Sequence, residues 1–319
     1  MNYIVFDLEW NQATVNEKKV EKLPFEIIEI GAFKLDDNLK KVDEYHRVIK
    51  PKYYKKLHHR VSKLVNISKD ELSCGYNFDI VAEDFLKFCG KDFIFCVWGS
   101  SDVYTLRSNL SFYNINYDFG EPVKYLDVQK LYSFCKYDSL TRVSLKDAVE
   151  ELKIEKNKLF HRAQEDASYT MQVMKHIPFD KLSMFTTNDL FTIPLTTKKE
   201  IHITYEGYYK IISRGFKDQA VLMQNRRIRE TFCPYCKTRI KRTINWFRES
   251  QNSYVCTAEC REHRKFLGKI RLKTNNEKFY AIKILKEATD KDIDRLLEKK
   301  AVIREKRKKK KELKCQLEE

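Results

Sequence analysis

The stretch Tyr3-Ile4-Val5-Phe6-Asp7-Leu8-Glu9-Trp10 decides how this chain is read. Its apolar, aromatic and β-branched residues predict a buried strand. Successive side chains of a strand point to opposite faces, so Asp7 and Glu9 share one face. Two neighbouring acids repel each other unless a cation lies between them. A divalent ion that takes oxygen ligands is the natural candidate. An isolated pair of this kind is also what a solvated strand end looks like, so the argument turns on whether the chain supplies further ligands.

It supplies three more groups. Phe160-His161-Arg162-Ala163-Gln164-Glu165-Asp166-Ala167 opens a predicted helix whose inward stripe is Ala167, Thr170, Met171, Met174 and Ile177. Asp166 falls in its first turn, with His161 just before it. Between the two segments, Val97-Trp98-Gly99-Ser100-Ser101-Asp102 follows the strand candidate Phe93-Ile94-Phe95-Cys96-Val97. A helix with Val103, Leu106 and Leu110 as its stripe then begins, so Asp102 also stands at a strand-to-helix junction. Around these, FEIIEIGAFKLD and EYHRVIKP read as two further strands, with Asp36-Asp37-Asn38 as the turn between them. Three strands followed by alternating strands and helices predict an α/β fold, a mixed sheet with helices packed on it.

The stretches FDLEW, WGSSDVYTL and HRAQEDA together resemble the DEDDh 3′→5′ exonuclease superfamily, over roughly residues 1–178. The WGSSD form and the run Ile27-Ile28-Glu29-Ile30-Gly31-Ala32 resemble its branch of histone-mRNA and sporulation-inhibitor-type exonucleases. One departure stands out. Asn11 and Gln12 occupy positions where Thr and Gly are usual. This bears on how the 3′ nucleotide is held rather than on the metal chemistry.

The resemblance implies a ribonuclease H-like sheet flanked by helices. It also implies two Mg²⁺ or Mn²⁺ ions, which at about 3.5–4 Å apart align a water and stabilise phosphoryl charge. On that reading Asp7 bridges the ions, Glu9 and Asp166 complete the water-activating site, and Asp102 acts through metal-bound water. His161 is the general base, since imidazole changes charge near neutral pH. The implied substrate is RNA or single-stranded DNA, with RNA favoured by the WGSSD form, and the implied products are nucleoside 5′-monophosphates.

Length and charge divide the chain further. A chain of 319 residues suggests about two domains. Residues 1–180 carry 27 Lys and Arg against 28 Asp and Glu, while residues 181–319 carry 35 against 18. A basic appendage behind a neutral nuclease reads as a nucleic-acid grip. The expected organisation is an exonuclease domain at 1–180, a linker or region of no readable motif at 181–230, a zinc-ribbon-like basic module at 231–285 and a charged helical tail at 286–319. The tail includes the run Arg304-Glu-Lys-Arg-Lys-Lys-Lys-Lys311, a solvated stretch that can speed association with phosphate.

The module is read from Cys233-Pro-Tyr-Cys236 and Cys256-Thr-Ala-Glu-Cys260. Two thiolate pairs at that separation can close a tetrahedral, structural Zn²⁺ site, with His263 as the alternative to Cys260. Lys237, Arg239, Lys241 and Arg242, followed by Trp246, suit phosphate neutralisation and base stacking. A redox CxxC fits less well, because no thioredoxin-like strand and helix flank it.

The remaining cysteines, Cys74, Cys89, Cys96, Cys135 and Cys315, are scattered, and no apolar leader opens the sequence. Buried free thiols in a reducing, cytoplasmic location are the expectation. No apolar run approaches the roughly 20 residues that span a membrane. Two other classes stay open: a nucleic-acid-binding adaptor using the exonuclease fold as a scaffold, and recruitment to a protein partner through the C-terminal half. Against the adaptor, all five catalytic positions hold competent residues.

Overall fold

The computed structural model describes residues 1–137, 142–156, 160–178, 186–205, 207–275 and 277–316, with side chains left out at 205 and 307–316. The chain forms two compact units, Met1–Phe191 and Thr192–Glu319. The boundary expected between 180 and 181 lies outside the described residues.

In the first unit, β1 (Asn2–Asn11), β2 (Glu26–Leu35) and β3 (Lys41–Val48) form an antiparallel meander. β4 (Phe93–Val97) joins β1 in parallel and β5 (Lys124–Asp127) joins β4 in parallel. β6 (Thr186–Asn188) closes the far edge antiparallel, giving the order β3-β2-β1-β4-β5-β6. This is the expected mixed sheet flanked by helices.

Short helices α1 (Val61–Leu64) and α2 (Lys69–Cys74) precede α3 (Phe78–Cys89) and α4 (Ser101–Phe112). Three more follow: α5 (Val128–Tyr137), α6 (Leu145–Glu151) and α7 (Ala163–Lys175). The alternation of β1 sorts them into two layers. Ile4, Phe6 and Leu8 pack with Phe78, Val81 and Phe85 of α3 and Val103, Leu106 and Leu110 of α4. Tyr3 and Val5 face the other layer, with Leu131 of α5, Val149 of α6 and Tyr169, Val173 and Met174 of α7. Asp7 and Glu9 continue the Tyr3–Val5 face towards the C-terminal end of β1.

Gly31 stands opposite Asp7 in β2. A Cβ there would overlap the backbone of Ala163 and Gln164. Glycine therefore lets the first turn of α7 press directly onto the sheet beside the acids.

The second unit is a six-stranded antiparallel sheet in the order β7-β8-β12-β11-β10-β9. The strands are β7 (Ile201–Tyr205), β8 (Tyr208–Ile212), β9 (Lys241–Ser250), β10 (Ser253–Glu259), β11 (Lys265–Asn275) and β12 (Lys278–Glu287). The region 181–230, expected to be a linker or to carry no readable motif, contains β7 and β8. Ile211 and Ile212 are buried, and β8 pairs with β12, so the stretch belongs to the same sheet as the expected zinc module. A sheet edge left open at β12 would expose a row of unpaired backbone groups, which β8 satisfies. Helices Gln219–Gln224 and Arg226–Arg229 then cover one face, with Leu222 and Ile228 packed against Ile270, Leu272 and Ala281.

The charged tail begins as a helix, Asp290–Gln316. Thr289 and Asp292 cap it reciprocally, with Asp292 N–H donating to Thr289 Oγ1 at 3.2 Å and Thr289 N–H donating to Asp292 Oδ2 at 3.0 Å. Leu296 packs against Ile244 and Val255, and Lys299 pairs with Glu249 at 2.8 Å. The side chains of most of the basic run, and residues 317–319, lie outside the described residues. No described helix is long and apolar enough to cross a membrane.

Gly31→Ala should lower the thermal midpoint of the protein. A backbone overlap is not relieved by rotating a side chain, and overpacking costs about 1–3 kcal/mol, or about 2–4 °C per kcal/mol for a unit of this size. A midpoint equal to wild type in a thermal melt would show that α7 does not rest on β2.

Candidate active site

The acids gather at the C-terminal ends of the parallel pair β1 and β4, where ligands enter open α/β sheets. Asp7 and Glu9 come from β1, with Glu9 paired across the sheet to Glu29 of β2. Asp102 sits in the first turn of α4, is buried, and accepts a hydrogen bond from Leu8 N–H at 3.3 Å. Asp166, in the first turn of α7, accepts one from His161 N–H at 2.9 Å. Glu9, His161 and Asp166 bring one ligand atom each within 4.8 Å of the others. His161 is exposed and holds φ at +67°, a left-handed conformation rare for a non-glycine residue. Its two backbone bonds, to Asp166 and from Asn66 N–H at 3.3 Å, keep it there.

Burial together with the crowding of like charge raises the carboxyls of Asp7, Glu9, Asp102 and Asp166. Burial and then Asp102, Asp166, Glu9 and Glu29 push Asp7 well above the ordinary carboxylate range. Burial, followed by Asp166, Glu29 and Asp102, lifts Glu9 to about 8, with Arg162 offsetting only part of the effect. Burial carries Asp102 to about 7 despite backbone hydrogen bonds. Burial likewise carries Asp166 to about 6, against the His161 hydrogen bond. Asp166 Oδ1 is buried without a hydrogen-bond partner among the described residues. Repelling oxygens with a buried lone pair left over fit a hard divalent cation such as Mg²⁺ or Mn²⁺.

A family model for exonucleases of the RNase T type matches residues 4–174, more than half of the chain. The chain belongs to the RNase T exonuclease family. Among solved structures, E. coli Exonuclease I in complex with a dA16 oligonucleotide is 12% identical with a TM-score of 0.50, covering 95% of this chain and 70% of that one. The nuclease domain of 3′hExo, a DEDDh family member bound to rAMP, is 18% identical with a TM-score of 0.49, covering 58% and 96%. A 3′-exonuclease recognising the histone mRNA stem-loop is 15% identical with a TM-score of 0.49, covering 60% and 72%. At 12% identity the likeness to Exonuclease I is one of fold. No curated protein matches.

The exonuclease unit contains supporting residues that motif reading passed over. Glu29 is fully buried. Burial pushes its carboxyl up, but His46, the Ala163 N–H and Arg162 outweigh that and hold it below its ordinary value. His46 Nε2 lies 2.7 Å away, Arg162 Nε 2.9 Å and Ala163 N 3.0 Å. Glu29 thereby ties the start of α7 to β2. A lone acid inside the apolar run Ile27-Ile28-Glu29-Ile30 was the available signal. Asn11, where Thr is usual, is spent on a loop. Its side chain donates to Tyr54 O at 2.8 Å and Lys56 O at 2.9 Å and accepts from His58 N–H at 2.9 Å.

In the second unit, Cys233, Cys236, Cys260 and His263 bring their ligand atoms within 4.8 Å of one another. Cys256 stands apart from this cluster. It lies inside β10 opposite Gly268, where the absence of a side chain makes room for its Sγ. The sequence expectation that paired Cys256 with Cys260 is corrected accordingly, since the strand carries Cys256 into the core. The spacing Cys260-Arg-Glu-His263 repeats that of Cys233-Pro-Tyr-Cys236, a signal legible in the sequence. Of the other cysteines, Cys89 and Cys96 are buried free thiols, while Cys74 and Cys135 are exposed.

The residues expected to touch nucleic acid are only partly available. Lys237 and Lys241 are exposed. Arg239 pairs with Glu230 at 3.4 Å. Arg242 Nη1 and Trp246 Nε1 each donate to Arg229 O at 2.8 Å, and Trp246 packs against the core of the unit.

The raised carboxyls set the sign of a pH dependence. A group whose pKa is higher folded than unfolded contributes stability that is present at low pH and lost as pH rises through the folded value. In magnesium-free buffer the thermal midpoint should fall between about pH 4 and pH 8, the window bounded by ordinary carboxyls and Glu9 at about 8. Asp7→Asn should flatten that fall and raise the midpoint at pH 8 by a few degrees, at about 2–4 °C per kcal/mol relieved. Equal slopes in wild type and variant would refute the repulsion.

Proposed function

We propose that the protein is a metal-dependent 3′→5′ exonuclease that releases nucleoside 5′-monophosphates from RNA or single-stranded DNA. The observation that carries this reading is the convergence of half-buried Asp7 and Glu9 with buried Asp102 and Asp166 in one corner, with His161 at its exposed edge. The four carboxylates would hold two Mg²⁺ or Mn²⁺ ions, which supply Lewis-acid charge stabilisation at the scissile phosphate.

The chain's own residues do the rest. His161, held close to Glu9 and Asp166, takes the proton of the attacking water. The bond to the departing 3′ oxygen breaks, and that oxygen is protonated from solvent. The Asp166 contact to the His161 backbone keeps the imidazole beside the carboxylates. Glu29 and Arg162 keep the α7 turn that carries both in place.

Substrate capture falls to charge. The excess of Lys and Arg in residues 181–319 favours a polyanion over its counterions and speeds encounter. The family resemblance of the WGSSD form favours RNA.

The direct test is digestion of 5′-labelled single-stranded RNA and DNA of one sequence, with Mg²⁺ or Mn²⁺ and with EDTA. A ladder that shortens from the 3′ end, needs metal and slows about 10²–10⁴-fold in His161→Ala is expected. Metal-independent or endonucleolytic cleavage would overturn the reading. Truncation after Arg304 should raise KM and flatten its dependence on salt while leaving kcat unchanged. An unaltered salt slope would remove the tail from substrate capture.

A further inference from the structure

We propose that the second unit holds a structural zinc ion on Cys233, Cys236, Cys260 and His263, with Cys256 outside the site. The argument is geometric. Zinc bonds thiolate sulfur at about 2.3 Å and imidazole nitrogen at about 2.0–2.1 Å in tetrahedral array. Those bond lengths require sulfur–sulfur edges of about 3.8 Å and sulfur–nitrogen edges of about 3.6 Å. Cys236 Sγ and Cys260 Sγ lie 3.8 Å apart. His263 Nδ1 lies 3.4 Å from Cys260 Sγ and 3.7 Å from Cys233 Sγ. These three of the six edges match a zinc tetrahedron, and the other three lie within 4.8 Å. A disulfide needs its sulfurs at about 2.05 Å, so this spacing is not that of a crosslink.

The surroundings prepare the site. Two turns deliver the ligands. Cys233-Pro-Tyr-Cys236 is closed by Lys237 N–H donating to Cys233 O at 3.0 Å and by Cys233 N–H donating to Thr238 O at 2.9 Å. Lys237 turns the chain with φ at +59°. The second turn, between β10 and β11, is closed by Cys260 N–H donating to Arg264 O at 3.1 Å. Tyr235 stacks on the His263 ring, with centroids 5.0 Å apart and planes 5° apart, and its hydroxyl bonds Glu287 at the end of β12. That contact fixes the plane of the imidazole, as outer partners of metal-bound histidines do.

The ligand set names the metal and its role. Three thiolates and an imidazole are soft donors that select zinc over Mg²⁺ or Mn²⁺. Four protein ligands leave no open position, so the ion is structural rather than catalytic. It joins the segment before β9 to the β10–β11 turn, beside a cluster in which Cys233, Tyr235 and Cys236 pack with Ala258, Phe266 and Leu285.

The test uses the full chain, purified without chelator and dialysed against Mg²⁺. Elemental analysis should find about one zinc per chain. Exchange for Co²⁺ should give the intense visible bands and thiolate charge transfer of a tetrahedral sulfur-rich site. Cys260→Ser and His263→Ala should lose most of the zinc, whereas Cys256→Ser and His161→Ala should keep it. Should Cys260→Ser fail to fold, the cobalt spectrum of the wild-type chain decides. Absence of zinc, an octahedral cobalt spectrum, or zinc lost in Cys256→Ser or in His161→Ala would overturn the assignment.

Discussion

Repulsion among four carboxylates crowded into one largely buried corner is the constraint on which the exonuclease unit depends. Asp7 and Glu9 have no choice of face once β1 is a strand, and Asp102 and Asp166 are delivered beside them by two helix starts. Burial and like charge together raise all four. A fold that keeps such a corner bears a cost in the absence of a cation, and the rest of the sheet must be stable enough to carry it. The two apolar layers on either side of β1 provide that stability, because Ile4, Phe6 and Leu8 on one face and Tyr3 and Val5 on the other are buried.

Keeping Asp166 and His161 at the corner is a separate problem, solved by contacts between β2 and α7. Gly31 permits the backbones to meet, and the buried Glu29 carboxylate binds Arg162 and the Ala163 N–H across that contact. A buried carboxylate is tolerable only when its oxygens are satisfied, and here His46, Arg162 and a backbone N–H do so. The helix start is therefore held on both sides of the position that carries the acid. The same surroundings hold His161 in its left-handed backbone conformation.

The second unit follows other physics. Its sheet is antiparallel and strongly basic, and its charge excess balances nothing in the near-neutral first unit. Several of its cations serve the fold: Arg242 satisfies a helix-end carbonyl, and Lys283, fully buried, donates to Arg227 O and Glu230 O. What is left exposed, including Lys237 and Lys241, borders the cysteine and histidine cluster. The proposed zinc ligands and these exposed cations are thus neighbours in sequence.

Much of this was legible in the sequence. The period-two pattern of Tyr3–Trp10 determined the face shared by Asp7 and Glu9, and the 3.6-residue stripes placed Asp102 and Asp166 at helix starts. Those are local properties of a chain whose side-chain directions follow from backbone geometry. The contacts that Glu29, Gly31 and Asn11 make were not legible, because they exist only where β2, α7 and the loop at Tyr54 meet across gaps of many residues. The same reason separates the cysteines. Spacing alone made Cys256 and Cys260 a pair, but a strand places one in the core and the following turn aims the other at His263. Likewise, the place of residues 201–212 was not legible, because β12, the partner of β8, lies some seventy residues further along. Sequence by itself determined the local elements and the chemistry of the acids. Tertiary structure decided which distant groups touch, since those contacts depend on long-range packing that no local pattern encodes.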